Sequence, residues 1–339
     1  MTDKRGFFSS RLGFIMAAVG SAVGLGNIWG FPTRAAENGG GAFLLAYLVL
    51  AFLLAYPALM AELVIGRHAR ANIVTALDGL GRNNFSRRLG RAMGYYGVLV
   101  AAFILSFYAI VAGWMLTGFA RPLAELVGLS GAADWLALSG TARDLSFSFL
   151  FITLTTAIIA RGVEDGIETW SNRLMPLLFA ILLGLIVYVL FQPGAGEGLR
   201  LYLVPDFKQL ANPGLLLSAM GQAFFSLSLG VGTMLIYGSY LHKNESLPRM
   251  GAAVTLLDAG IAFLAGLLIL PAMFVAQQQG IAIYGEGGDL LAGPGLIFQV
   301  LPSLFDSMGA AGPLLSLAFF ALMSIAALTS SISMLEAPV

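Results

Sequence analysis

The sequence has 339 residues, of which 58% are hydrophobic and only 11% are charged, and its mean hydropathy is +0.86. A water-soluble domain carries about 25% charged residues, so the exterior of this chain is predicted to face lipid. The absence of cysteine excludes disulfides, thiolate metal sites and cysteine nucleophiles. A net charge of zero without a basic block argues against nucleic acid as a partner.

Apolar stretches that could cross a membrane recur along the whole chain. A membrane helix needs about 20 apolar residues. The predicted spans are 12–36, 41–66, 92–120, 146–160, 174–191, 214–240, 251–276 and 312–339. The fourth is short, and we expect it to lie deep among its neighbours. The pattern predicts an all-α integral membrane protein with one transmembrane domain over residues 1–339.

The distribution of Lys and Arg predicts the orientation of these spans. With the N-terminus in the cytoplasm, thirteen basic residues lie inside and five outside, as the positive-inside rule requires. The N-terminal segment has no A-x-A-like cleavage site, so it is predicted to be retained as the first span. The last predicted span reaches Val339 without a polar tail, and we expect a chain truncated after its eighth helix.

Two of the predicted spans carry glycine clusters at their centres. The first contains GSAVGLGNIWGFP and the sixth contains FFSLSLGVGTM. Glycine lets the backbone leave a helix at modest cost, and freed backbone groups are tolerated in a membrane only where they line a cavity or bind a ligand. Close helix packing is the simpler explanation for small residues, but it does not explain the polar residues beside them. Broken helices 1 and 6 indicate a transporter with five-helix inverted repeats, over about 1–192 and, in part, about 213–339.

Polar side chains within the spans are candidates for ion binding. The side-chain oxygen of Asn27 suits a hard cation such as Na⁺, although a core amide satisfied by neighbours is the alternative. A carboxylate at the depth of Asp258 needs a counter-charge, either a bound cation or a distant Arg. Thr329, Ser330 and Ser331 could all bond back to their own helix, but three in a row expose more than one face. Tyr108 lies mid-span, so its hydroxyl is predicted to bond to a buried partner.

The remaining titratable residues favour local structural roles. Glu62 lies close in sequence to Arg67 and is predicted to form an ion pair with it. His68 and His242 fall at helix ends without enough partners for a metal site. No Ser/His/Asp arrangement can be drawn across the membrane, so the sequence does not predict an enzyme.

Three motifs together resemble one transporter family. The run RLGFIMAAVGSAVGLGNIWGFP is similar to the first-helix signature of the neurotransmitter:sodium symporters, especially their bacterial amino-acid branch. GQAFFSLSLGVGTMLIYGSY resembles the broken sixth helix of that family, and AALTSSISMLEAPV resembles its eighth. The resemblance runs over the whole chain, and it implies two sodium sites and a central amino-acid site.

The resemblance assigns a role to each matching position. The first sodium is expected to bind the carbonyl of Ala22, the side chains of Asn27, Ser226 and Asp258, and the substrate carboxylate. The second is expected to bind the carbonyls of Gly20, Val23 and Ala326 and the hydroxyls of Thr329 and Ser330. The substrate is expected to contact Ala22, Leu25, Gly26, Ile104, Tyr108, Phe225, Ser226, Ser228, Val231, Ser330 and Met334.

The sequence departs from the family pattern at both gates. Gly30 stands where many members have the Arg of the outer gate. Arg5 keeps its place at the inner gate, Phe8 replaces the usual Trp, and an acidic partner is expected beyond Val339. Tyr47, Gln222 and Ser226 resemble the frame of the chloride site in animal members, but Asp258 brings its own carboxylate, so chloride is not expected.

The sequence therefore predicts a sodium-coupled symporter of the bacterial inner membrane, the plasma membrane of its cell, importing hydrophobic or aromatic amino acids by alternating access. Lipid, sodium and an amino acid are its expected partners, and no feature indicates an oligomeric state. The alternatives are a symporter for another zwitterion or osmolyte, an inactive or regulatory fragment that lacks its last helices, and, less well supported, a channel.

Overall fold

The computed structural model describes residues 6–138, 140–285, 293 and 295–338, and helices dominate these residues. The helices are α1 (Arg11–Ala22), α2 (Gly26–Glu37), α3 (Gly41–Ala69), α4 (Ile73–Gly79), α5 (Asn84–Leu126), α6 (Ser130–Ala137), α7 (Thr141–Ile159), α8 (Val163–Leu190), α9 (Ala195–Leu203), α10 (Pro213–Ser226), α11 (Thr233–Ser239), α12 (Leu247–Gln278), α13 (Leu296–Ser307) and α14 (Gly309–Glu336). A short 3₁₀ turn, Phe207–Ala211, precedes α10.

Six of these helices are long and apolar enough to cross a membrane, namely α3, α5, α7, α8, α12 and α14. Helices α1 and α2 meet the same test together, as a pair bent by 54°. The prediction of an all-α membrane protein is confirmed. The predicted sixth span, 214–240, is present as two shorter helices, α10 and α11, because the chain leaves the helix between them.

The helices run between two ends of the bundle. We call the end that carries residues 6–10 the N-terminal face, and the opposite end the far face. Residues 70–83, 160–162 and 240–246 also lie at the N-terminal face, because each joins two helices there. Residues 38–40, 127–138, 191–212, 279–285 and 296–308 lie at the far face by the same alternation.

Helix α7 is the least buried of the long helices. Only 17% of its most apolar 18-residue stretch is buried within the protein, whereas at least 33% of the corresponding stretch is buried in each of the other five helices. The expectation that the fourth span lies deep among its neighbours was therefore wrong. The helix has 19 residues and begins five residues before the predicted span, so it is long enough to face lipid.

Helices α3 and α11 approach each other closely because glycines face the contact. A Cβ atom on Gly238 would lie 2.8 Å from the carbonyl oxygen of Leu63, and one on Gly66 would collide with the carbonyl of Leu235. No larger side chain fits at either position without backbone movement. The two helices are therefore joined backbone to backbone.

Glu62 of α3 caps the free end of α11. Its Oε1 accepts a hydrogen bond from the backbone N–H of Gly230 at 2.7 Å, and its Oε2 accepts one from Leu235 at 3.2 Å. Arg67 instead donates to the carbonyl oxygen of Glu245 at 2.7 Å, so the predicted Glu62–Arg67 pair was wrong. Residues five apart on a helix point in different directions, whereas the positive end of α11 attracts a carboxylate.

We expect Glu62→Leu to lower the thermal stability of the protein more than Glu62→Gln does. Each charge-assisted hydrogen bond contributes about 1.5–3 kcal/mol; Leu removes both, and Gln keeps one oxygen acceptor. The check is the melting temperature of the purified protein, with the exposed Glu164→Gln as the matched control. Equal melting temperatures for native protein and Glu62→Leu would show that the cap contributes nothing.

Candidate functional site

The first break in the helices separates α1 from α2 at residues 23–25. Helix α1 ends at Ala22, and α2 begins at Gly26 with a π-helical turn. The carbonyl oxygen of Gly24 accepts from the N–H groups of Asn27 at 3.1 Å and Ile28 at 3.2 Å. The break therefore places the carbonyl end of one half-helix and the N–H end of another at the centre of the bundle, as the glycine cluster predicts.

The second break separates α10 from α11 at residues 227–232. Gly230 and Gly232 have φ angles of 84° and 86°, and Ser228, a non-glycine residue, has a φ angle of 53°. The Ser228 hydroxyl donates to the carbonyl oxygen of Ser21 at 3.1 Å. A strained serine thus joins the two breaks directly.

A small cavity of about 40 Å³ lies between the breaks. It is lined by Ser21, Ala22, Gly26, Ile104, Tyr108, Phe225, Ser228, Leu229, Val231, Ser330 and Met334. Nine of the eleven residues predicted to contact substrate are among them. Of the other two, Leu25 lines a separate, wider space on the far-face side, and the Ser226 hydroxyl donates to the Asp258 carboxylate.

Tyr108 of α5 closes one side of the cavity. Its hydroxyl accepts a hydrogen bond from the backbone N–H of Leu25 at 3.0 Å, which is the kind of buried partner that its mid-span position predicts. Gly24 lies against the same hydroxyl: a Cβ there would be 2.6 Å from Tyr108 Oη and would collide with Ser330 Oγ. A larger residue at position 24 would have to displace Tyr108 or Ser330.

Asp258 of α12 lies in a fully buried polar cluster beside the first break. Its Oδ1 accepts from the Asn27 amide nitrogen at 2.7 Å, and its Oδ2 accepts from Ser226 Oγ at 2.8 Å and Tyr47 Oη at 3.4 Å. Among the described residues, no Lys, Arg or His makes a salt bridge to this carboxylate. Neutral donors alone leave a buried negative charge that favours a cation. Rotating the Asn27 amide by half a turn would present its oxygen to the same point.

Gln222 extends this polar cluster toward α2. Its side-chain nitrogen donates to the carbonyl oxygen of Gly26 at 2.8 Å. Tyr47, Gln222 and Ser226, the three residues predicted to frame the cluster, are all buried. No group of three or more His, Cys, Asp or Glu side chains that could hold a metal occurs in the described part of the chain. A site made mostly of neutral oxygens suits a monovalent hard cation better than a transition metal.

Helices α1 and α14 meet at the residues predicted for the second sodium. Ser330 Oγ donates to the carbonyl oxygen of Gly20 at 3.3 Å, and a Cβ on Gly20 would lie 3.2 Å from the Cβ of Thr329. Thr329 bonds back to the carbonyls of Ile325 and Ala326, at 3.1 and 3.2 Å. Ser331 bonds back to Ala327 at 2.8 Å. Of the three hydroxyls, that of Ser330 reaches across to α1.

A wider vestibule of about 340 Å³ lies on the far-face side of the cavity. Gly26, Tyr108 and Phe225 line both spaces, so they form the partition between them. Gly30 lines the vestibule, as do Arg34 and Glu37 one and two turns further along α2. The Phe225 ring lies against Gly26, where a Cβ would be 2.8 Å from its Cε1.

Aromatic packing closes the N-terminal face of the bundle. Phe8 is buried, and its ring lies 5.4 Å from Phe14, 5.7 Å from Tyr237 and 6.2 Å from Tyr240, measured between centroids. Its N–H donates to the carbonyl oxygen of Tyr240 at 3.2 Å. Arg5, predicted for the inner gate, lies outside the described residues.

Sequence reasoning missed the residue that anchors the segment before α1. The Glu168 carboxylate of α8 accepts from the N–H of Ser9 at 2.7 Å, from Ser9 Oγ at 2.7 Å and from Ser10 Oγ at 2.8 Å. Its sequence neighbourhood shows only an acidic run at the start of a span. Ser21 and Leu229 of the cavity lining were missed as well, although both lie within the glycine clusters.

Comparison with known proteins identifies relatives of the whole chain. Residues 5–131 and 139–339 match the sodium:neurotransmitter symporter family. An uncharacterized sodium-dependent transporter of Bacillus subtilis, YhdH, is 38% identical over 334 residues, which are 97% of this chain and 70% of that protein. One from Haemophilus influenzae is 34% identical, over 98% of this chain and 73% of the relative.

More distant and structural relatives agree. The human sodium- and chloride-dependent taurine transporter is 27% identical, over 89% of this chain and 54% of the transporter. The crystal structure of MhsT in complex with L-phenylalanine superposes with a TM-score of 0.82 at 40% identity, covering 98% of this chain and 74% of MhsT.

Proposed function

The chain belongs to the sodium:neurotransmitter symporter family, and we propose that it imports hydrophobic or aromatic α-amino acids by sodium-coupled alternating access. The family and the fold are those of sodium-dependent transporters, not of enzymes. The observation that carries the proposal is the cavity between the two helix breaks, with Tyr108 and the N–H of Leu25 at one side and apolar side chains at the other.

The two breaks suit the two charges of an amino acid. The N–H groups at the start of α2, around Leu25 and Gly26, and the Tyr108 hydroxyl would bind the carboxylate. The carbonyls at the ends of α1 and α10, at Ala22 and Phe225, would bind the ammonium with the help of Ser228. Ile104, Val231 and Met334 would contact the side chain. The phenylalanine bound to the structural neighbour supports a hydrophobic substrate.

The first sodium would join the substrate to the Asp258 cluster. The carbonyl of Ala22 and the side chains of Asn27, Ser226 and Asp258 would supply oxygens, and the substrate carboxylate would supply another. An ion that contacts the substrate couples their binding, and each raises the affinity of the other by the same factor.

The second sodium would lie between α1 and α14. The carbonyls of Gly20, Val23 and Ala326 would bind it together with the hydroxyls of Thr329 and Ser330. The Ser330–Gly20 contact of 3.3 Å supports this, because it brings oxygens of both helices together. The ion would replace that hydrogen bond and release Thr329 from its own helix.

The family fold suggests how the site is reached. We place the breaks in the first helix of two inverted five-helix repeats, over about 1–192 and, in part, 213–339. The Lys and Arg distribution supports a cytoplasmic N-terminal face in the bacterial inner membrane. Phe8 and its aromatic neighbours would then close the path inward, while the vestibule leads outward. Alternating access would require these two closures to exchange.

The main test is sodium-dependent binding of amino acids and of their decarboxylated amines. Phenylalanine, leucine and tryptophan should bind at least about tenfold more tightly than phenethylamine, isoamylamine and tryptamine, since a charge-assisted hydrogen bond contributes about 1.5–3 kcal/mol. Amines that bind as tightly as amino acids would contradict the proposal. Taurine and betaine serve as further arms, because preference for either would favour the other-zwitterion alternative.

A glycine pair provides the matched control for that test. Gly24→Ala should abolish amino-acid binding, because the added Cβ would displace Tyr108 and Ser330. The control is Gly221→Ala on α10: a Cβ there has no neighbouring atom within 4 Å, so this variant should bind amino acids normally. Normal binding by Gly24→Ala would show that the carboxylate is held elsewhere.

Replacing Thr329 with Val and Ser330 with Ala should weaken sodium binding. The change removes two oxygens from the second site, each worth about 1.5–3 kcal/mol, so apparent sodium affinity should fall by about tenfold or more. The measurement is a sodium titration of amino-acid binding, with Ser331→Ala as control because Ser331 bonds back to its own helix. An unchanged titration would mean that the hydroxyls of Thr329 and Ser330 do not bind sodium.

Transport should not require chloride. At about 4 Å from an ionised Asp258, with an effective dielectric of about 20, a second anion would be repelled by roughly 4 kcal/mol. Uptake in gluconate should therefore equal uptake in chloride. Asp258→Asn keeps an oxygen but removes the charge, so sodium binding should weaken and added chloride should partly restore it. A native protein that stops working in gluconate would refute this role of Asp258.

A further inference from the structure

Four arginines cluster where α4 leads into α5, at the N-terminal face. Two of them are paired with Asp78: Arg87 Nη2 lies 3.3 Å and Arg91 Nη2 3.2 Å from its carboxylate. The hydrogen bond from Arg87, supported by Arg91, lowers the pKa of Asp78, so this carboxylate is ionised and offsets part of their charge. Arg82 and Arg88 are exposed, and neither makes a salt bridge among the described residues.

Arg88 projects from an apolar face of α5. Phe85 and Tyr95, three residues before it and seven after it, lie on the same face of the helix, and Leu89 and Tyr96 lie beside them. These four side chains are 77%, 62%, 51% and 68% exposed, in that order. Arg87 and Arg91 reach Asp78 of α4, on the side where Gly90 and Gly94 let the two helices approach. Lipid tails cannot solvate a guanidinium, so Arg88 must direct its charge toward the lipid headgroups.

The length of α5 places Arg88 at the level of those headgroups. Arg121, near the other end of the helix, follows Arg88 by 33 residues, which is about 50 Å at about 1.5 Å per residue. A bilayer with its headgroup regions is about 40–45 Å thick. A moderately tilted α5 therefore keeps both arginines in opposite headgroup layers.

Further exposed apolar side chains lie close in sequence to the two arginines that make no salt bridge in the described part of the chain. Leu80 is 51% exposed, as is Leu89, and both flank the segment that carries Arg82 and Phe85. We call Leu80, Arg82, Phe85, Arg88 and Leu89 the basic–apolar patch. It combines two positive charges that have no acidic partner among the described residues with exposed apolar side chains at the membrane surface, which is complementary to a negatively charged lipid.

We propose that the basic–apolar patch binds an anionic phospholipid, with Arg88 on the phosphate group, Arg82 and Phe85 at the level of the headgroups, and Leu89 against the start of the acyl chains. This binding does not depend on which substrate the central cavity takes. The planar guanidinium of Arg88 can donate two hydrogen bonds to one phosphate, which distinguishes a bound lipid from a diffuse layer of counter-ions.

The test is native mass spectrometry of the purified chain in detergent, titrated with phosphatidylglycerol or phosphatidylcholine. The native protein should bind phosphatidylglycerol more tightly than phosphatidylcholine. Arg88→Gln should weaken phosphatidylglycerol binding by about fivefold, the effect of one basic residue near a lipid surface. Arg91→Gln is the matched control, because it removes the same charge one turn away. Arg91 is paired with Asp78, so its loss should have little effect on phosphatidylglycerol binding.

Three results would overturn the proposal. They are equal binding of the two lipids, equal losses in Arg88→Gln and Arg91→Gln, or displacement of phosphatidylglycerol by inorganic phosphate, which would indicate a site for a free anion.

Amino-acid binding and melting temperature serve as fold controls for each variant. If Arg88→Gln fails to fold, Arg88→Lys replaces it: the phosphatidylglycerol preference should remain but weaken, because Lys keeps the charge and loses the planar donor pair. An undiminished affinity in Arg88→Lys would then refute the role of the guanidinium.

Discussion

The whole arrangement depends on one constraint: in a membrane, every backbone N–H and C=O group needs a partner inside the protein. A continuous helix meets this constraint by itself, but a broken helix does not. At both breaks, polar side chains from other helices take over. Tyr108 accepts from the N–H of Leu25, Gln222 donates to the carbonyl of Gly26, and Glu62 accepts from two N–H groups around the start of α11. These partners hold the breaks open as a cavity.

The same constraint explains why the breaks could be predicted from the sequence. An ordinary membrane helix does not need glycines, amides or hydroxyls in the middle of an apolar stretch. Asn27 and Ser228 therefore stand out in the sequence. Asp258 stands out for the same reason, because a lone carboxylate in an apolar span requires partners. Nine of the predicted cavity residues were brought together because they share the two breaks or the faces of α5 and α14 that pack on them.

Other features could not be predicted, because they depend on contacts between distant segments. Glu62 was paired with Arg67 by closeness in sequence, but its partners lie more than 160 residues away. The three hydrogen bonds from Ser9 and Ser10 to Glu168 span a similar separation. The placement of α7 failed for a different reason. Hydropathy reports that a helix is apolar, but not whether lipid or protein covers it.

The glycine contact between α3 and α11 limits how the bundle can move. Because Gly66 and Gly238 bring the two backbones into direct contact, a tilt of α11 against α3 would have to open that contact. Among the described residues, the glycines of α1 meet only side chains, and at the N-terminal face serine hydroxyls and aromatic rings hold the start of this helix. Side-chain hydrogen bonds and ring contacts can break one at a time. Two backbones in direct contact must separate along the whole contact. The two half-helices beside the cavity therefore differ in the kind of contact that holds them: backbone against backbone for α11, and side chains for α1.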